Sequence, residues 1–333
     1  MKLLITGGLG FIGSNLIRYL LEKYKDIQII NLDNHSYGSN QYNLKNIEDD
    51  RRYSIINGDI ADPKIVKNII TKIDIIVNVA AETHVDRSIS NTWSFFKSNV
   101  EGVLVLLEAI KSSARQIQFL QIGTDEVYSD IIEGSYNEND ILNPSQPYSA
   151  SKAAADLFVL AYNRTYNMNS LITRSTNNFG PFQFPEKLVP KTIVRAIKNM
   201  KIPIYGTGKN IRDWLSVFDH CEAIDLVLQK GQSNEIYNIS SGNEFTNLEI
   251  VNRILEIMNK SKSLIEFVDD RPGHDLRYSL DSSKIRNKLG WRPKNTFDSA
   301  LESTVDWYLS NEWWWKPIAS ERILHPTPWK LGW

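Results

Sequence analysis

The chain has 333 residues, 42% of them hydrophobic and 23% charged, the balance of a globular protein of roughly two domains. Its 38 Lys and Arg against 39 Asp and Glu leave no basic excess for a nucleic-acid backbone. One cysteine excludes an internal disulfide, the scattered histidines predict no metal site, and the apolar runs are much shorter than the about 18 residues of a membrane helix. We therefore expect a cytoplasmic protein without nucleic-acid or membrane partners.

Short apolar runs alternate with amphipathic stretches along the first half of the chain. Apolar runs at 2–6, 27–32, 75–80, 117–122 and 170–173 predict strands. Helical spacing follows the first run and recurs near 62–72, 92–113 and 148–166. Uniformly apolar strands separated by helices are typical of a parallel sheet that is covered on both faces. The predicted fold class is therefore α/β, with a doubly wound, Rossmann-type sheet.

The pattern changes after about residue 175, where Pro, Gly and aromatic residues become frequent and strands such as 236–239 are short. We predict a Rossmann-type domain over 1–176, with returning segments near 213–241 and 298–312. A smaller, interleaved domain would then comprise 177–212, 242–297 and the C-terminal tail.

Three glycines, Gly7, Gly10 and Gly13, follow the first strand and open the first helix. Gly7 permits a tight turn, Gly10 lets the backbone approach a pyrophosphate, and Gly13 lets helix and strand pack closely. The N-terminus of the helix adds free N–H groups and a partial positive charge. The spacing predicts a dinucleotide site, with a plain tight turn as the alternative.

Asp33 ends the second strand, twenty residues beyond Gly13. A carboxylate there can accept hydrogen bonds from both ribose hydroxyls and repels a 2′-phosphate, which predicts NAD rather than NADP as the cofactor. The alternative is a cap for the next turn. Asp59 and Ile60, after the third strand, could reach the adenine or could form a surface turn.

A Tyr-x-x-x-Lys pair, Tyr148 and Lys152, opens the helix that follows strand five. Two further pairs with this spacing lie in the first helix and in a Gly-rich loop, so position rather than spacing singles out Tyr148. A Lys charge at about 4 Å is worth roughly 4 kcal/mol to a phenolate. We expect it to lower the pKa of Tyr148 enough for a general base.

Strand five ends in Thr124, Asp125 and Glu126. Adjacent carboxylates at the end of a buried strand are costly unless they are used or hydrogen-bonded. They could cap a turn, or they could act as an acid and a base on one substrate, which requires their pKa values to be pushed apart.

Seven segments point to one family: GGLGFIGS, AAETHVDRSI, TDEVY, YSASK, NNFGPFQFPEKLVP, RDWLSVFDH and RPGHDLRYSLD. Together they resemble the extended short-chain dehydrogenase/reductase family and, within it, the dTDP-glucose 4,6-dehydratases. The resemblance runs from residue 3 to about residue 297. One departure is visible: Ser129 stands where this family usually has Gly after TDEVY, which could alter the turn behind the acids but removes no reacting group.

The resemblance implies dehydration of a dTDP-sugar to a 4-keto-6-deoxy sugar, as in rhamnose-type biosynthesis, with NAD accepting and returning a hydride. Tyr148 would take the proton of the 4-hydroxyl, assisted by Lys152 and Thr124. Glu126 would remove the C5 proton and Asp125 would protonate the departing C6 hydroxyl. The resemblance also implies a homodimer through a four-helix bundle built from helices near 92–113 and 148–166.

Two sets of binding residues complete these expectations. The cofactor set comprises Gly7, Gly10, Phe11, Ile12, Gly13, Asp33, Asp59, Ile60, Ala80, Ala81, Tyr148, Lys152 and Asn178. The substrate set, centred on the smaller domain, comprises Thr83, Thr124, Asn177, Lys187, Leu188, Pro203, Tyr205, Arg212, Asn238, Arg271 and His274. Arg212 and Arg271 would clamp the diphosphate, since guanidinium groups match phosphate oxygens, although both could instead form surface ion pairs.

Three other functions compete with a 4,6-dehydratase: a sugar-nucleotide 4-epimerase, a decarboxylase and a non-catalytic NAD-binding sensor. An epimerase has no need of the acid pair, and a sensor has no need of the Tyr/Lys pair. The carrier, dTDP or UDP, stays open at the level of the sequence.

Overall fold

The computed structural model describes residues 1–332. Its strands are β1 (Lys2–Thr6), β2 (Gln28–Asp33), β3 (Tyr53–Asn57), β4 (Ile75–Asn78), β5 (Gln118–Thr124), β6 (Ser170–Ser175), β7 (Asn177–Phe179), β8 (Ile202–Tyr205), β9 (Ile211–Ser216), β10 (Ile236–Ile239), β11 (Glu244–Thr246) and β12 (Ile265–Val268). Its helices are α1 (Phe11–Lys23), α2 (Pro63–Ile70), α3 (Val85–Ser90), α4 (Thr92–Phe96), α5 (Gly102–Lys111), α6 (Pro147–Tyr166), α7 (Leu188–Ile197), α8 (Val217–Lys230), α9 (Asn247–Ile257), α10 (Ser283–Leu289), α11 (Phe297–Ser310) and α12 (Glu312–Trp315). Within residues 1–332, no helix combines the length and apolar character needed to cross a membrane.

In the described chain, seven strands form one parallel sheet in the order β10-β6-β5-β4-β1-β2-β3. The chain starts in the middle of this sheet, proceeds to β3 at one edge, and returns to place β4 on the other side of β1. Such a reversal opens a crevice at the carboxyl ends of β1 and β4, where ligands bind in folds of this kind. The predicted doubly wound α/β class is confirmed.

Helices cover both faces of the sheet, to which alternate residues of each strand point. Leu3 and Ile5 pack with the apolar residues of α1 and α8 on one face. Leu4, Ile76 and Phe119 pack with those of α2, α5 and α6 on the other. This two-sided burial explains why the strands are apolar throughout rather than alternating.

The predicted helix near 92–113 contains a π-helical turn, Lys97–Glu101, between α4 and α5. Asn99 in this turn donates from Nδ2 to the carbonyl oxygen of Glu82 (3.0 Å) and to Oγ of Ser151 (2.8 Å). The turn thereby ties the loop after β4 to helix α6, and both of these segments carry predicted site residues.

The remaining strands form two small sheets, β11-β9-β7 and β12-β8, which pack with α7, α9, α11 and α12. Strand β10 pairs with β6 at the edge of the large sheet, and α8 packs against α1. The segment 298–312, predicted to return to the Rossmann-type domain, lies mainly in α11. Helix α11 packs against α7 and α9, because Leu301, Val305 and Tyr308 belong to the apolar cluster of the smaller sheets. The division into domains stays a prediction.

Candidate active site

The glycine turn forms a close cradle between β1 and α1. Gly7 has φ +68°, and a Cβ built on it would lie 2.6 Å from Cα of Ala80. A Cβ on Gly13 would lie 2.3 Å from the carbonyl oxygen of Gly7. Side chains are therefore excluded at both positions, and the backbone N–H groups at the start of α1 remain close to the crevice.

Asp33 closes the cradle from the end of β2. Its Oδ2 accepts from the Leu9 amide and its Oδ1 from the His35 amide, each at 2.9 Å. Burial raises the pKa of this carboxyl group above its usual value. The Asp33 carboxylate thus caps the turns on either side of it and also lies in the wall of the cavity.

The cavity beyond the cradle is lined by most of the predicted cofactor set: Gly7, Gly10, Phe11, Ile12, Gly13, Asp33, Ile60, Ala80, Ala81, Tyr148 and Asn178. Oδ1 of Asn178 is buried and, among residues 1–332, has no hydrogen-bond partner, so it is available to a donor on a ligand. A glycine cradle, a ribose-type carboxylate and a free amide oxygen fit a nicotinamide dinucleotide. Asp59 lies outside this lining, where its carboxylate pairs with Lys97 (3.0 Å) and accepts a hydrogen bond from the Ala61 amide (2.9 Å).

Thr124, Asp125 and Glu126 line the same cavity from the end of β5. Thr124 caps the 3-10 turn Asp125–Val127, since its Oγ1 accepts from the Glu126 amide (3.3 Å) and lies 3.1 Å from Oδ1 of Asp125. Oδ2 of Asp125 and Oε2 of Glu126 are buried and, in the described part of the chain, have no hydrogen-bond partner. Each acid therefore has an oxygen free for a substrate.

The two acids differ in their electrostatic surroundings. Burial raises the pKa of Asp125 to about 8, and the neighbouring Glu126 charge contributes to the increase. Burial also raises the pKa of Glu126, but the positive charges of Arg271, Lys187 and Arg212 oppose that increase. The surroundings thus favour a protonated Asp125, whereas the nearby cations act against protonation of Glu126.

Tyr148 and Lys152 lie on one face of α6, which starts with Pro147 and a capping box. Nζ of Lys152 donates to the carbonyl oxygen of Ile122 (2.7 Å), and burial lowers its pKa to about 8. The expected lowering of the pKa of Tyr148 by this lysine is wrong. Burial and then the Glu126 charge raise it well above the ordinary value, so the phenol keeps its proton in the free protein.

Part of the predicted substrate set surrounds Asp86 at the start of α3. Nη1 of Arg271 lies 2.9 Å from one carboxylate oxygen of Asp86, and the Tyr205 hydroxyl donates to the other (3.4 Å). His274 pairs with Asp270 (2.6 Å), and its ring lies edge-on to Tyr205. Arg271 thus forms an ion pair, but this pair is largely buried rather than on the surface. The positive charge of Arg271 opposes the increase in the pKa of Glu126.

The other members of that set divide into two groups. Thr83, Asn177 and Lys187 line the cavity, and Nζ of Lys187 donates to the carbonyl oxygen of Thr83 (2.7 Å). The rest lie outside that lining: Leu188 at the start of α7, Pro203 in β8, Arg212 in β9 and Asn238 in β10. Arg212 donates to the carbonyl oxygens of Asp275 (2.8 Å) and Ile211 (2.7 Å). Asn238 lies behind the acid turn.

The cavity also contains residues that sequence reasoning did not select. Ser98 reaches it from the π-helical turn, which apolar spacing does not reveal. Gln183 and Phe184 belong to the segment NNFGPFQFPEKLVP, which carries part of the family resemblance, so the sequence could have indicated them as site residues. His84, whose place beside Thr83 in the sequence already suggested a supporting role, also lines the cavity; it lies 3.0 Å from Glu186, and burial lowers its pKa.

A Rossmann sheet that brings a dinucleotide cradle, a helical tyrosine and paired acids into one cavity defines an enzyme of the short-chain dehydrogenase/reductase class. The family model described as GDP-mannose 4,6 dehydratase matches residues 4–304. The chain therefore belongs to this family of sugar-nucleotide dehydratases.

Named relatives agree with this assignment over nearly the whole chain. A dTDP-glucose 4,6-dehydratase of Streptomyces niveus is 45% identical over 100% of both chains. The low-salt glycan biosynthesis protein Agl12 of Haloferax volcanii is 47% identical over 94% of this chain and 100% of its own. The crystal structure of DesIV, a dTDP-glucose 4,6-dehydratase from Streptomyces venezuelae with NAD bound, superposes with a TM-score of 0.93 at 43% identity, covering 96% of this chain and 100% of DesIV.

Proposed function

We propose that this protein is an NAD-dependent 4,6-dehydratase that converts dTDP-glucose to the 4-keto-6-deoxy sugar nucleotide. The named relatives support the predicted reaction and cofactor, and so confirm the choice of a dehydratase over an epimerase, a decarboxylase or a sensor. The observation that carries the proposal is the presence of Asp125 and Glu126 in the same cavity as Tyr148, each acid with a free oxygen.

The reaction removes one water molecule and leaves the cofactor unchanged. Bound NAD would supply the redox chemistry by accepting the hydride of C4 and, once reduced, giving it to C6. Glu126 removes the proton at C5, which the neighbouring ketone acidifies, and returns a proton to C5 when C6 receives the hydride. Asp125 gives its proton to the C6 hydroxyl, which leaves as water. The pKa of about 8 at Asp125 keeps this proton in place at neutral pH, while three nearby cations favour the ionised form of Glu126.

Tyr148 takes the proton of the C4 hydroxyl. Since the pKa of the phenol is raised in the free protein, we expect it to release its proton only when the positive charge of the oxidised nicotinamide ring enters the site. Lys152, fixed to Ile122 at the end of β5, adds a second positive charge on the same helix face. Thr124 orients the acids through the capping contacts of the turn.

Substrate binding is assigned to the edge of the cavity that faces the smaller sheets. Thr83, Asn177 and Lys187 would contact the sugar, because they lie in the cavity wall with the acids. Arg271, Tyr205 and the adjacent His274 would receive the nucleotide diphosphate. Arg271 then exchanges part of its pairing with Asp86 for phosphate oxygens.

The test is incubation of the purified protein with dTDP-glucose, UDP-glucose and GDP-mannose, followed by identification of the products by mass spectrometry and NMR. We expect loss of one water molecule from dTDP-glucose and slower or no reaction of the other two. A C4 epimer without loss of water would identify an epimerase. Binding of NAD without conversion of any of the three substrates would refute the proposal.

A homodimer through α4–α5 and α6 is the second part of the proposal. Trp93 is 80% exposed, Leu157 55%, Phe96 47% and Phe158 36%, all on these helices. Large apolar side chains at this exposure are typical of surfaces that a partner covers. A second copy would bury them by pairing two helical segments from each chain into a four-helix bundle.

Light scattering on the eluting protein tests the dimer. We expect twice the mass of the 38.2 kDa chain, and a monomer for Trp93→Glu combined with Leu157→Glu. Trp313→Glu, at a side chain that is 54% exposed on α12, is the matched control and should leave the mass unchanged. A monomeric native protein would contradict the prediction of a dimer.

The cytoplasmic location of the protein also stays a prediction.

A further inference from the structure

A buried polar network lies directly behind the acid turn. Its centre is Arg174 in β6, which is 1% exposed. Nε of Arg174 pairs with Oδ2 of Asp156 at 2.8 Å, and Nη1 donates to the hydroxyl of Tyr128 at 2.6 Å. A buried charge of this kind is costly to leave unpaired, so its partners are held in a defined geometry.

The hydroxyl of Tyr128 connects Arg174 to strand β10. This hydroxyl donates to Oδ1 of Asn238 at 3.0 Å. Nδ2 of Asn238 donates to the carbonyl oxygen of Tyr136 (3.1 Å), and the backbone N–H of Asn238 to Oε1 of Glu138 (2.8 Å). Both polar atoms of the Asn238 side chain are therefore engaged inside the protein, which explains its position outside the cavity.

The same tyrosine ends the turn that carries the acids. The backbone N–H of Tyr128 donates to the carbonyl oxygen of Asp125 at 3.0 Å. Immediately afterwards Ser129 has φ +94°, a value that reverses the chain and that residues other than Gly rarely adopt. The acid turn thus ends in the residue whose side chain is held by Arg174 and Asn238.

We propose that Tyr128 is a positioning residue for Asp125 and Glu126, and that Arg174 and Asn238 act on the reaction through its hydroxyl. Removal of the hydroxyl leaves Nη1 of Arg174 and Oδ1 of Asn238 without their shared partner in a buried position. The network must then rearrange, and the turn moves with it. This inference rests on the proposed dehydratase function and adds to it the residues that hold the acid pair.

Tyr128→Phe tests the proposal, with Tyr136→Phe as the matched control. The two rings stack with centroids 5.1 Å apart, and the Tyr136 hydroxyl donates to a backbone carbonyl oxygen, that of Asp130 (3.2 Å). For Tyr128→Phe we expect kcat to fall about tenfold to a hundredfold, the range that follows from leaving buried polar groups unpaired, with KM for dTDP-glucose within about twofold. Tyr136→Phe should keep kcat within about twofold.

The step affected distinguishes positioning from general damage. With Tyr128→Phe, reduced nicotinamide should accumulate on mixing with substrate, and deuterium exchange at C5 should slow, since oxidation at C4 needs neither acid. Equal losses in oxidation and elimination would overturn the proposal. So would a Tyr128→Phe enzyme that matches Tyr136→Phe in kcat.

Asn238→Ala provides an independent variant should Tyr128→Phe fail to fold. Acting through Tyr128, it lowers kcat and leaves KM unchanged. Where Tyr128→Phe does fold, the effects of the two substitutions are not additive. An increase in KM with unchanged kcat would show that Asn238 contacts the substrate and would overturn the proposal. Absence of product from the wild-type protein with dTDP-glucose would instead refute the proposed function.

Discussion

Raising the pH from 7 to 10 should stop the elimination of water by removing the proton of Asp125. This carboxyl group is the proposed acid for the C6 hydroxyl, and it lies 3% exposed beside a second carboxylate. Burial raises its pKa to about 8, and the Glu126 charge adds to that increase. Only the protonated form can donate, so the elimination rate follows the protonated fraction.

The size of the effect follows from this pKa. Relative to its ordinary value of 3.8, the ionised form of Asp125 is disfavoured by about 6 kcal/mol, at about 1.4 kcal/mol for each tenfold change. The protonated fraction is then about 90% at pH 7, about 10% at pH 9 and about 1% at pH 10. Asp125→Asn should lower the elimination rate by about 10²–10⁴-fold. The elimination rate that remains should no longer decrease between pH 7 and pH 10.

The assay is a rapid-mixing experiment that follows two steps separately between pH 6 and pH 10. Absorbance of reduced nicotinamide reports oxidation at C4, and mass spectrometry of quenched samples reports the loss of water. The reasoning would be refuted by an elimination rate that stays constant to pH 10. It would equally be refuted by an Asp125→Asn enzyme that keeps the wild-type alkaline decrease.

Three other predictions follow from single residues. Asp33→Ala should weaken NAD binding and narrow its preference over NADP, because the ribose acceptor and the repulsion of a 2′-phosphate are both lost; calorimetric titration with each cofactor measures this, and equal affinities in the native protein would refute it. Ser129→Gly should stabilise the fold by about 1 kcal/mol in urea denaturation, since φ +94° strains a residue with a Cβ; destabilisation would show that the Ser side chain makes a compensating contact. Burial lowers the pKa of His220 from 6.5 to about 3, so the unfolded chain alone binds this proton as the pH falls below 6.5. About 2 kcal/mol of stability should be lost by pH 5, and His220→Phe should lose less over the same interval.

The cofactor half of the site could be predicted from the sequence because its determinants are local. A tight turn after β1 requires glycine at Gly7, and the close contact of helix and strand requires it at Gly13. Asp33 and the acid turn follow strands directly, and the ends of parallel strands meet at one edge of the sheet. The unusual Ser129 was also visible in the sequence, and the structure gives it the positive φ that glycine would suit.

The tertiary structure decided which partners each charged or polar group finds. Spacing placed Lys152 beside Tyr148, but its ammonium group contacts the Ile122 carbonyl oxygen on a neighbouring strand, and burial raises rather than lowers the pKa of the phenol. Asn238 was assigned to the substrate and lies in a buried network between β6 and β10. Such contacts join residues far apart in the chain, and burial depends on all the elements that cover a group. Local spacing can therefore specify a turn or a strand end, whereas the pKa and the partner of a buried side chain are set only when the whole chain has packed.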